Sequence, residues 1–514
     1  MGFTSAGRSG RARTVALGVL AVGLVLSVSA CGDGGDAADS PDSTDTTEGA
    51  ETASATAVNR PDGPAADIST ELEGGDGVFV GSAEPGQLDA SYEERELLAT
   101  GTATAYEEAG ERTADGRWTF TPGGTADYRT RIIVRQPKDP ADASGTVLIE
   151  WMNVSGGVDA DPEFATLEEE IIRGGHTWVG VSAQAVGIEG GPVAVKVDVP
   201  GAEAAGKGLK GIDPERYGSL EHPGDSYAFD LYTQVARAVR DGVPGGEAPQ
   251  HVVAVGESQS AFALVTYING VQPLTKAFDG FYVHSRGGSG LALAGPGEGA
   301  DMSSSIGGAP SILRTDTEVP ILEIQAENDL VGILGSAAAR QPDAERFRLW
   351  EVPGTAHADL HLTGQATADS IDCGLPINDG PFHLVAKAAL RHFASWVEGG
   401  EPPPAMPRIE LSDDSTAVLR DDDGIALGGV RTPPVDVPTR ILSGEKGPST
   451  EVICILSGST KPMTAERLTE LYPSEDDFQE RYDAAVAEAI DAGVVLDDDQ
   501  AALEAFAHPE LVSG

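Results

Sequence analysis

The sequence predicts an α/β protein with a mostly parallel central sheet flanked by helices. Short apolar segments, typical of buried strands, alternate along the chain with longer segments whose apolar residues recur at helical spacing. The chain has 514 residues and is 40% hydrophobic and 23% charged. This composition is ordinary for a globular protein, and the length allows either one elaborated domain or two domains.

The first thirty residues have the pattern of an export signal. Three arginines precede an apolar run, residues 14–30, that is too short for a comfortable membrane span. The run ends in Val-Ser-Ala before Cys31 and resembles the bacterial lipobox, in which the cysteine carries a lipid and becomes the new N-terminus. We therefore expect residues 1–30 to be a lipoprotein signal peptide and the protein to be exported and anchored on the outer face of the cell membrane. An ordinary signal peptide with an incidental cysteine is the alternative.

The segment after the anchor, residues 31–74, is expected to be a disordered acidic tether. It has few large apolar groups and many like charges, so it cannot bury enough surface to offset its chain entropy. The folded domain is predicted to span residues 75–514, with a C-terminal extension that begins at about residue 400.

The charge balance excludes some partners. The chain carries 34 Lys and Arg against 82 Asp and Glu, which gives a formal net charge of −48. Such a field repels nucleic acid and anionic membrane surfaces, so we expect no nucleic-acid binding and no membrane contact other than the lipid anchor. The simplest explanation for the charge is a solubility surface.

The first predicted strands differ in their patterns. Residues 128–136 (Y-R-T-R-I-I-V-R-Q) alternate and are β-branched, which indicates a half-buried strand. Residues 146–150 (T-V-L-I-E) are almost continuously apolar, as is typical of a strand buried on both faces. A helix at 164–173 and another buried strand at 177–181 follow.

The second half of the predicted sheet repeats this alternation. Residues 226–241 have apolar positions at helical spacing, and a strand at 251–255 runs into a helix at 259–268. Further strands are predicted at 278–283, 319–325 and 347–352, and helices at 381–397 and, in the otherwise irregular C-terminal extension, 474–492. Active sites in such sheets lie beyond the carboxyl ends of the strands, so the functional side chains are expected there.

A serine stands at one of these ends. Gly256-Glu257-Ser258-Gln259-Ser260 separates a predicted strand from a predicted helix, which is the context of a nucleophile elbow. Gly256 and the small Ser260 permit the sharp turn, and the backbone N–H of Gln259 is a candidate donor to an oxyanion. Alternatively, Ser258 only caps the helix.

A serine nucleophile needs a base and an acid that orients the base. Asp329 follows the strand at 319–325, and His357 follows the strand at 347–352. Order and strand-end placement fit a Ser-Asp-His triad of Ser258, Asp329 and His357. Glu327 is the alternative acid and His361 the alternative base.

Four segments resemble those of the α/β-hydrolase superfamily, and more closely a branch of exported bacterial proteins described as alpha/beta hydrolase domain proteins. They are E-W-M-N-V-S-G-G at 150–157, G-E-S-Q-S at 256–260, G-T-A-H-A-D at 354–359 and I-N-D-G-P at 377–381. The resemblance covers roughly residues 75–510. It implies an α/β-hydrolase fold and serine-hydrolase chemistry, without a particular substrate.

The loop after the strand at 146–150 is expected to supply the second oxyanion donor. The backbone N–H of Val154 is the first candidate, with Asn153 or Ser155 as alternatives, or a glycine turn without a catalytic part. Neither metal-ligand spacing nor a dinucleotide or phosphate-loop motif is present, so we expect no metal and no cofactor.

Two cysteines remain besides Cys31. Export would permit Cys373 and Cys454 to pair in a disulfide, and two free buried thiols are the alternative.

These residues favour a carboxylic ester hydrolase that acts on a small-molecule ester through an acyl-enzyme. Two other functions remain open: a peptidase or amidase with the same triad, and a non-catalytic surface lipoprotein that binds a ligand. The sequence does not indicate the oligomeric state.

Overall fold

Eleven strands and fifteen α-helices make up the described part of the protein, which is residues 62–81, 88–196 and 202–512 of a computed structural model. The strands are β1 (Asp67–Glu71), β2 (Tyr92–Glu108), β3 (Phe120–Pro137), β4 (Thr146–Trp151), β5 (Thr177–Val181), β6 (His251–Glu257), β7 (Gly280–His284), β8 (Ile321–Ala326), β9 (Phe347–Val352), β10 (Arg440–Ser443) and β11 (Ser459–Pro462). The helices are α1 (Pro162–Arg173), α2 (Ala185–Glu189), α3 (Gly208–Ile212), α4 (Pro214–Tyr217), α5 (Ala228–Arg240), α6 (Gln259–Thr266), α7 (Gln272–Thr275), α8 (Met302–Ile306), α9 (Leu360–Ser370), α10 (Phe382–Val397), α11 (Pro433–Asp436), α12 (Val452–Leu456), α13 (Ala465–Leu471), α14 (Glu475–Asp491) and α15 (Gln500–Glu504).

A nine-stranded sheet forms the centre of the fold, in the order β1-β2-β3-β5-β4-β6-β7-β8-β9. From β5 to β9 every neighbouring pair is parallel. The pairs β1–β2, β2–β3 and β3–β5 are antiparallel. The predicted α/β class with a mostly parallel sheet is confirmed.

Hydrophobic cores lie on both faces of the sheet. Ile149 of β4 belongs to one core together with Phe262 of α6, whereas the adjacent Leu148 belongs to the other core together with Leu167 of α1. Successive strand residues point to opposite faces, so a strand covered on both sides must be apolar at every position. This explains why the central strands read as continuous apolar runs.

The fold begins before the predicted boundary at residue 75. β1 lies within the range 31–74 that was predicted as a tether, and it pairs with β2, with Asp67 opposite Thr100. Only Ile68 of its five residues is buried, so hydropathy does not reveal the strand. The signal peptide predicted at 1–30, and the tether up to residue 61, lie outside the described residues.

The C-terminal extension contains more regular structure than its sequence indicates, namely β10, β11 and α11 to α15. The predicted acidic helix is present as α14. Its N-cap is Ser474, whose hydroxyl accepts a hydrogen bond of 3.1 Å from the Asp477 N–H. Phe478 and Tyr482 of this helix are fully buried in the core that also contains α1 and α10. The extension is therefore part of the same folded body as the central sheet.

A disulfide joins Cys373, which follows α9, to Cys454 of α12 across a sequence separation of 81 residues. The carbonyl of Leu456 in α12 accepts a hydrogen bond of 3.0 Å from the Ala358 N–H. The cross-link thus holds α12 beside the loop that carries His357. Within the three described ranges, none of the helices combines the length and apolar character that crossing a membrane requires.

Candidate active site

Ser258 lies in a sharp turn between the end of β6 and the start of α6. Its backbone has φ 58° and ψ −118°, a left-handed conformation that is strained for a residue with a Cβ. A Cβ placed on Gly256 would lie 2.9 Å from the Ser260 Cβ, so this turn needs glycine at its start and a small residue at its end. The Ser258 N–H donates to the His284 carbonyl at 3.0 Å, which fixes the turn against β7.

The three residues predicted as a triad form a hydrogen-bonded series with His357 in the middle. His357 Nε2 is 2.7 Å from Ser258 Oγ, and His357 Nδ1 is 2.7 Å from Asp329 Oδ1. An ionised carboxylate only accepts hydrogen bonds, so with Asp329 charged the imidazole proton sits on Nδ1. Nε2 is then free to accept the hydroxyl proton of Ser258.

Ser285 is a further contact of Asp329 that the sequence analysis did not identify. Its hydroxyl donates to Asp329 Oδ2 at 2.6 Å, and the Ala326 N–H donates to the same oxygen at 2.6 Å. Ser285 follows β7 and has a positive φ of 52°. The available signal was a polar residue two positions beyond the strand predicted at 278–283. With Oδ2 held by two donors, Oδ1 is left to face His357.

The alternative acid, Glu327, points away from His357. It is fully buried, and its Oε2 accepts from the Gly354 N–H at 2.7 Å. Its Oε1 accepts from Arg420 at 2.5 Å and from the Gly444 N–H at 2.8 Å. Glu327 therefore binds the C-terminal extension to the turn after β9.

The alternative base, His361, is also directed elsewhere. Its ring stacks on the ring of His383 with the centroids 3.8 Å apart. The ring beside Ser258 Oγ is that of His357.

The candidate oxyanion donors are arranged around the Gln259 side chain. The Val154 N–H donates to Gln259 Oε1 at 3.2 Å, and Gln259 Nε2 donates to Gln184 Oε1. Gln259 is the first residue of α6, so its own N–H precedes the first helical hydrogen bond, from Phe262 N–H to Ser258 O. A substrate oxygen that reaches the Val154 N–H must displace Gln259 Oε1.

The alternative donors in this loop already form hydrogen bonds within the loop. The Asn153 N–H donates to the Ala160 carbonyl at 2.9 Å, and the Ser155 N–H donates to Asn153 Oδ1 at 2.8 Å. Both bonds hold the loop in shape, so they leave Val154 as the candidate donor of the three.

Several acidic groups surround the base. Burial lowers the pKa of His357, but the charges of Glu257 and Asp329 and the hydrogen bond to Asp329 raise it, to about 9 overall. Burial raises the pKa of Glu257 to about 7, against the lowering effect of His357 and His284. Glu257 is a neighbour of the base that sequence reasoning missed. Its place in the G-E-S-Q-S segment was the only signal for it.

Histidine and carboxylate side chains, which make up this site, are also the groups that bind metal ions in proteins. Over residues 62–81, 88–196 and 202–512, histidine, cysteine and carboxylate side chains form no cluster of three or more that would hold a metal ion. The acids near Ser258 pair with imidazoles instead, as Glu163 does with His284 at 3.0 Å.

Comparison with known proteins gives one family match. The sequence model of a family described as "Alpha/beta hydrolase domain" matches residues 62–505. No functionally curated protein matches the chain.

Solved structures that match parts of this chain include α/β serine hydrolases and esterases. The α/β serine hydrolase XC6422 from Xanthomonas campestris, described as lacking a lid, is 14% identical, with 50% of this chain and 86% of that chain covered and a TM-score of 0.26. An esterase from Rhizomucor miehei is 11% identical, with 58% and 85% covered and a TM-score of 0.29. A glucuronoyl esterase from Solibacter usitatus is 10% identical, with 60% and 85% covered and a TM-score of 0.26.

Proposed function

The chain belongs to the alpha/beta hydrolase domain family, and from this membership and the site geometry we propose that it is a serine hydrolase of carboxylic esters. The observation that carries the proposal is the unbroken hydrogen-bonded series from Ser258 Oγ through the two ring nitrogens of His357 to Asp329. All three residues follow the carboxyl ends of parallel strands of one sheet, β6, β8 and β9, where such sheets place their reactive groups. The substrate is a small-molecule ester.

The first half of the reaction forms an acyl-enzyme. Ser258 Oγ attacks the ester carbonyl carbon while its proton passes to His357 Nε2, and Asp329 stabilises the resulting imidazolium. The carbonyl oxygen, now negative, is bound by the backbone N–H groups of Gln259 and Val154, with Gln259 Oε1 displaced from the latter. When the tetrahedral intermediate collapses, the C–O bond to the alcohol breaks and His357 gives its proton to the departing oxygen.

The second half reverses these roles with water. His357 Nε2 takes a proton from a water molecule, whose oxygen attacks the acyl carbon. The bond to Ser258 Oγ then breaks, the proton returns to the serine oxygen, and the carboxylic acid leaves. The cycle needs no external electron source and no metal.

Covalent labelling with a fluorophosphonate tests the proposal, because this probe reacts with an activated serine whatever the substrate. We expect the protein to be labelled on Ser258, as located by peptide mass mapping, and the label to be lost in His357→Ala. Ser370→Ala, which changes an exposed hydroxyl at the end of α9, is the control and is expected to label normally. A folded protein that resists labelling and cleaves no ester would instead favour a ligand-binding lipoprotein.

A parallel panel of ester and amide substrates with the same acyl group decides the reaction class. Turnover of the esters alone is the expected result. Faster turnover of the amides would make the protein an amidase or peptidase with the same residues.

We also propose that the protein is exported and carries a lipid on Cys31. This proposal rests on the charged and apolar pattern of residues 1–31. We expect mass analysis of the mature protein to find a lipid-modified cysteine at its N-terminus and Cys31→Ser to appear in the aqueous fraction. A mature chain that keeps residues 1–30 would contradict it.

A further inference from the structure

His357 has a carboxylate beside each of its ring nitrogens. Asp329 contacts Nδ1, and Oε1 of Glu257 lies 3.3 Å from Nε2, the nitrogen that also contacts Ser258. The side chains of Glu257 and His357 are each only 4% exposed. The second carboxylate therefore acts on the imidazole with little screening by water.

Glu257 is held in place by its backbone position and by one amide. It is the last residue of β6 and the register partner of His284 at the end of β7. Asn153 Nδ2 lies 3.4 Å from Glu257 Oε2 and 3.2 Å from the Glu257 carbonyl. No rotation of the side chain is needed to bring Oε1 to the base.

The oxygen that faces His357 is not otherwise used. Glu257 Oε1 is buried, and it has no hydrogen-bond partner among the described residues. A buried carboxylate oxygen without a donor is unfavourable unless a positive charge lies close by. Burial raises the pKa of Glu257, and the imidazoles of His357 and His284 offset part of this rise and so favour the charged carboxylate.

We infer that Glu257 is a positioning residue whose carboxylate stabilises the protonated His357 that forms when Ser258 loses its proton. The inference rests on the proposed function, because a protonated His357 matters only if His357 acts as the base. It goes beyond the triad, in which Asp329 alone supports the imidazolium. Glu257 acts through His357 and forms no bond to the substrate.

The titrating groups around Glu257 come from four other elements. His357 follows β9 and His284 ends β7, and both lower the pKa of Glu257. Glu163 of α1 and Asp329 after β8 raise it, in addition to burial. The pKa of Glu257, about 7, lies below that of His357, about 9, so the carboxylate loses its proton before the imidazole does as the pH rises.

The expected effect on pH dependence has a definite sign. His357 accepts a proton only when it is neutral, so the reaction slows as the pH falls below the pKa of His357. A negative Glu257 favours the protonated ring and therefore raises the pH at which this fall in rate, the acid limb of the pH–rate profile, occurs. Replacing the carboxylate with an amide should move the limb to lower pH by about one to three pH units.

The same substitution should slow the reaction at high pH. At a pH above the acid limbs of both proteins, His357 is neutral in the wild type and in Glu257→Gln. In the variant, however, the imidazolium that forms when Ser258 attacks has one negative charge fewer beside it. We expect Glu257→Gln to react about tenfold more slowly there, which corresponds to the loss of about one pKa unit of imidazolium stabilisation.

The experiment measures the rate of fluorophosphonate labelling from about pH 5 to pH 10 in the wild type and in Glu257→Gln. Glu257→Asp keeps the charge but moves it away from Nε2, so its limb is expected between the other two. Glu170→Gln is the matched control, since Glu170 is a buried carboxylate of α1 that pairs with Arg173 and Arg391 and not with His357 or Glu257. Its limb is expected where the wild type has it.

A second measurement does not depend on activity. Carbon-13 NMR of labelled histidine rings, with the His357 signal assigned from its loss in His357→Ala, gives the pKa of His357 directly. A lower value in a folded Glu257→Gln supports the inference even if no ester is cleaved, in which case the proposed function alone fails. An unchanged pKa and an unchanged limb in Glu257→Gln or Glu257→Asp would overturn the inference.

Discussion

Asp329→Asn is expected to lower kcat on an ester substrate by about 10⁴-fold while the protein stays folded. The reason lies in the two oxygens of Asp329. Oδ2 accepts from Ser285 and from the Ala326 N–H, so an asparagine must keep its carbonyl oxygen at that position. Its NH₂ group then faces His357 Nδ1 and donates to it. The ring is held as the tautomer with the proton on Nε2, which cannot accept the proton of Ser258.

Steady-state kinetics and thermal unfolding of Asp329→Asn test this expectation together. Ser285→Ala is the control, because it removes one donor to Oδ2 but leaves the carboxylate facing His357. We expect it to lower kcat by no more than about tenfold, the size of one ordinary hydrogen bond. Near wild-type turnover by Asp329→Asn would show that another group orients His357.

The central strands of the fold can be predicted from the sequence, because each buried strand is a short, continuous apolar segment. β5 and β9 coincide with the predicted segments, and the strands β4, β6 and β8 differ from them by a few residues. A parallel sheet buried on both faces requires apolar residues at consecutive positions, which local sequence records. Since parallel strands end at one edge, residues that follow successive strands, such as Asp329 and His357, become neighbours.

The N-terminal strands are different, because their polar residues are compensated by distant parts of the chain. Glu96 of β2 is buried, and its carboxylate contacts Arg131 of β3 at 2.6 Å. Arg131 also contacts Asp159 in the loop after β4. A charged residue in a strand suggests exposure unless its partner is known, and the partner lies 35 positions away. Local hydropathy therefore predicts only part of β3 and omits β2.

The choice between two acids was open in the sequence for a related reason. Glu327 and Asp329 are two residues apart in a single 3-10 turn. Residues two apart in such a turn point about 240° around the axis from each other, so they face different surroundings. Asp329 meets His357, whereas Glu327 meets Arg420, which comes from the C-terminal extension. The orienting acid can therefore be chosen between the two carboxylates only when the position of the C-terminal extension is known.

Glu327→Gln is accordingly expected to lower the free energy of unfolding by about 3–5 kcal/mol and to change kcat far less than Asp329→Asn does. The carboxylate of Glu327 is fully buried and accepts from Arg420, Gly444 and Gly354. A glutamine offers one oxygen for these donors, and its NH₂ group must face one of them. A buried donor or the arginine charge is then left without an acceptor.

Urea unfolding followed by circular dichroism, with kcat measured on the folded protein, checks this expectation. Glu445→Gln is the matched control, because Glu445 is the exposed partner of the same Arg420. Exposed ion pairs contribute little, so its loss should cost less than about 1 kcal/mol. A Glu327→Gln protein of wild-type stability that has lost about 10⁴-fold in kcat would assign the orienting acid to Glu327. The two carboxylates share one turn, but the two substitutions should have different effects. A loss of kcat in Asp329→Asn and a loss of stability in Glu327→Gln would show that Asp329 orients His357 and that Glu327 binds the C-terminal extension.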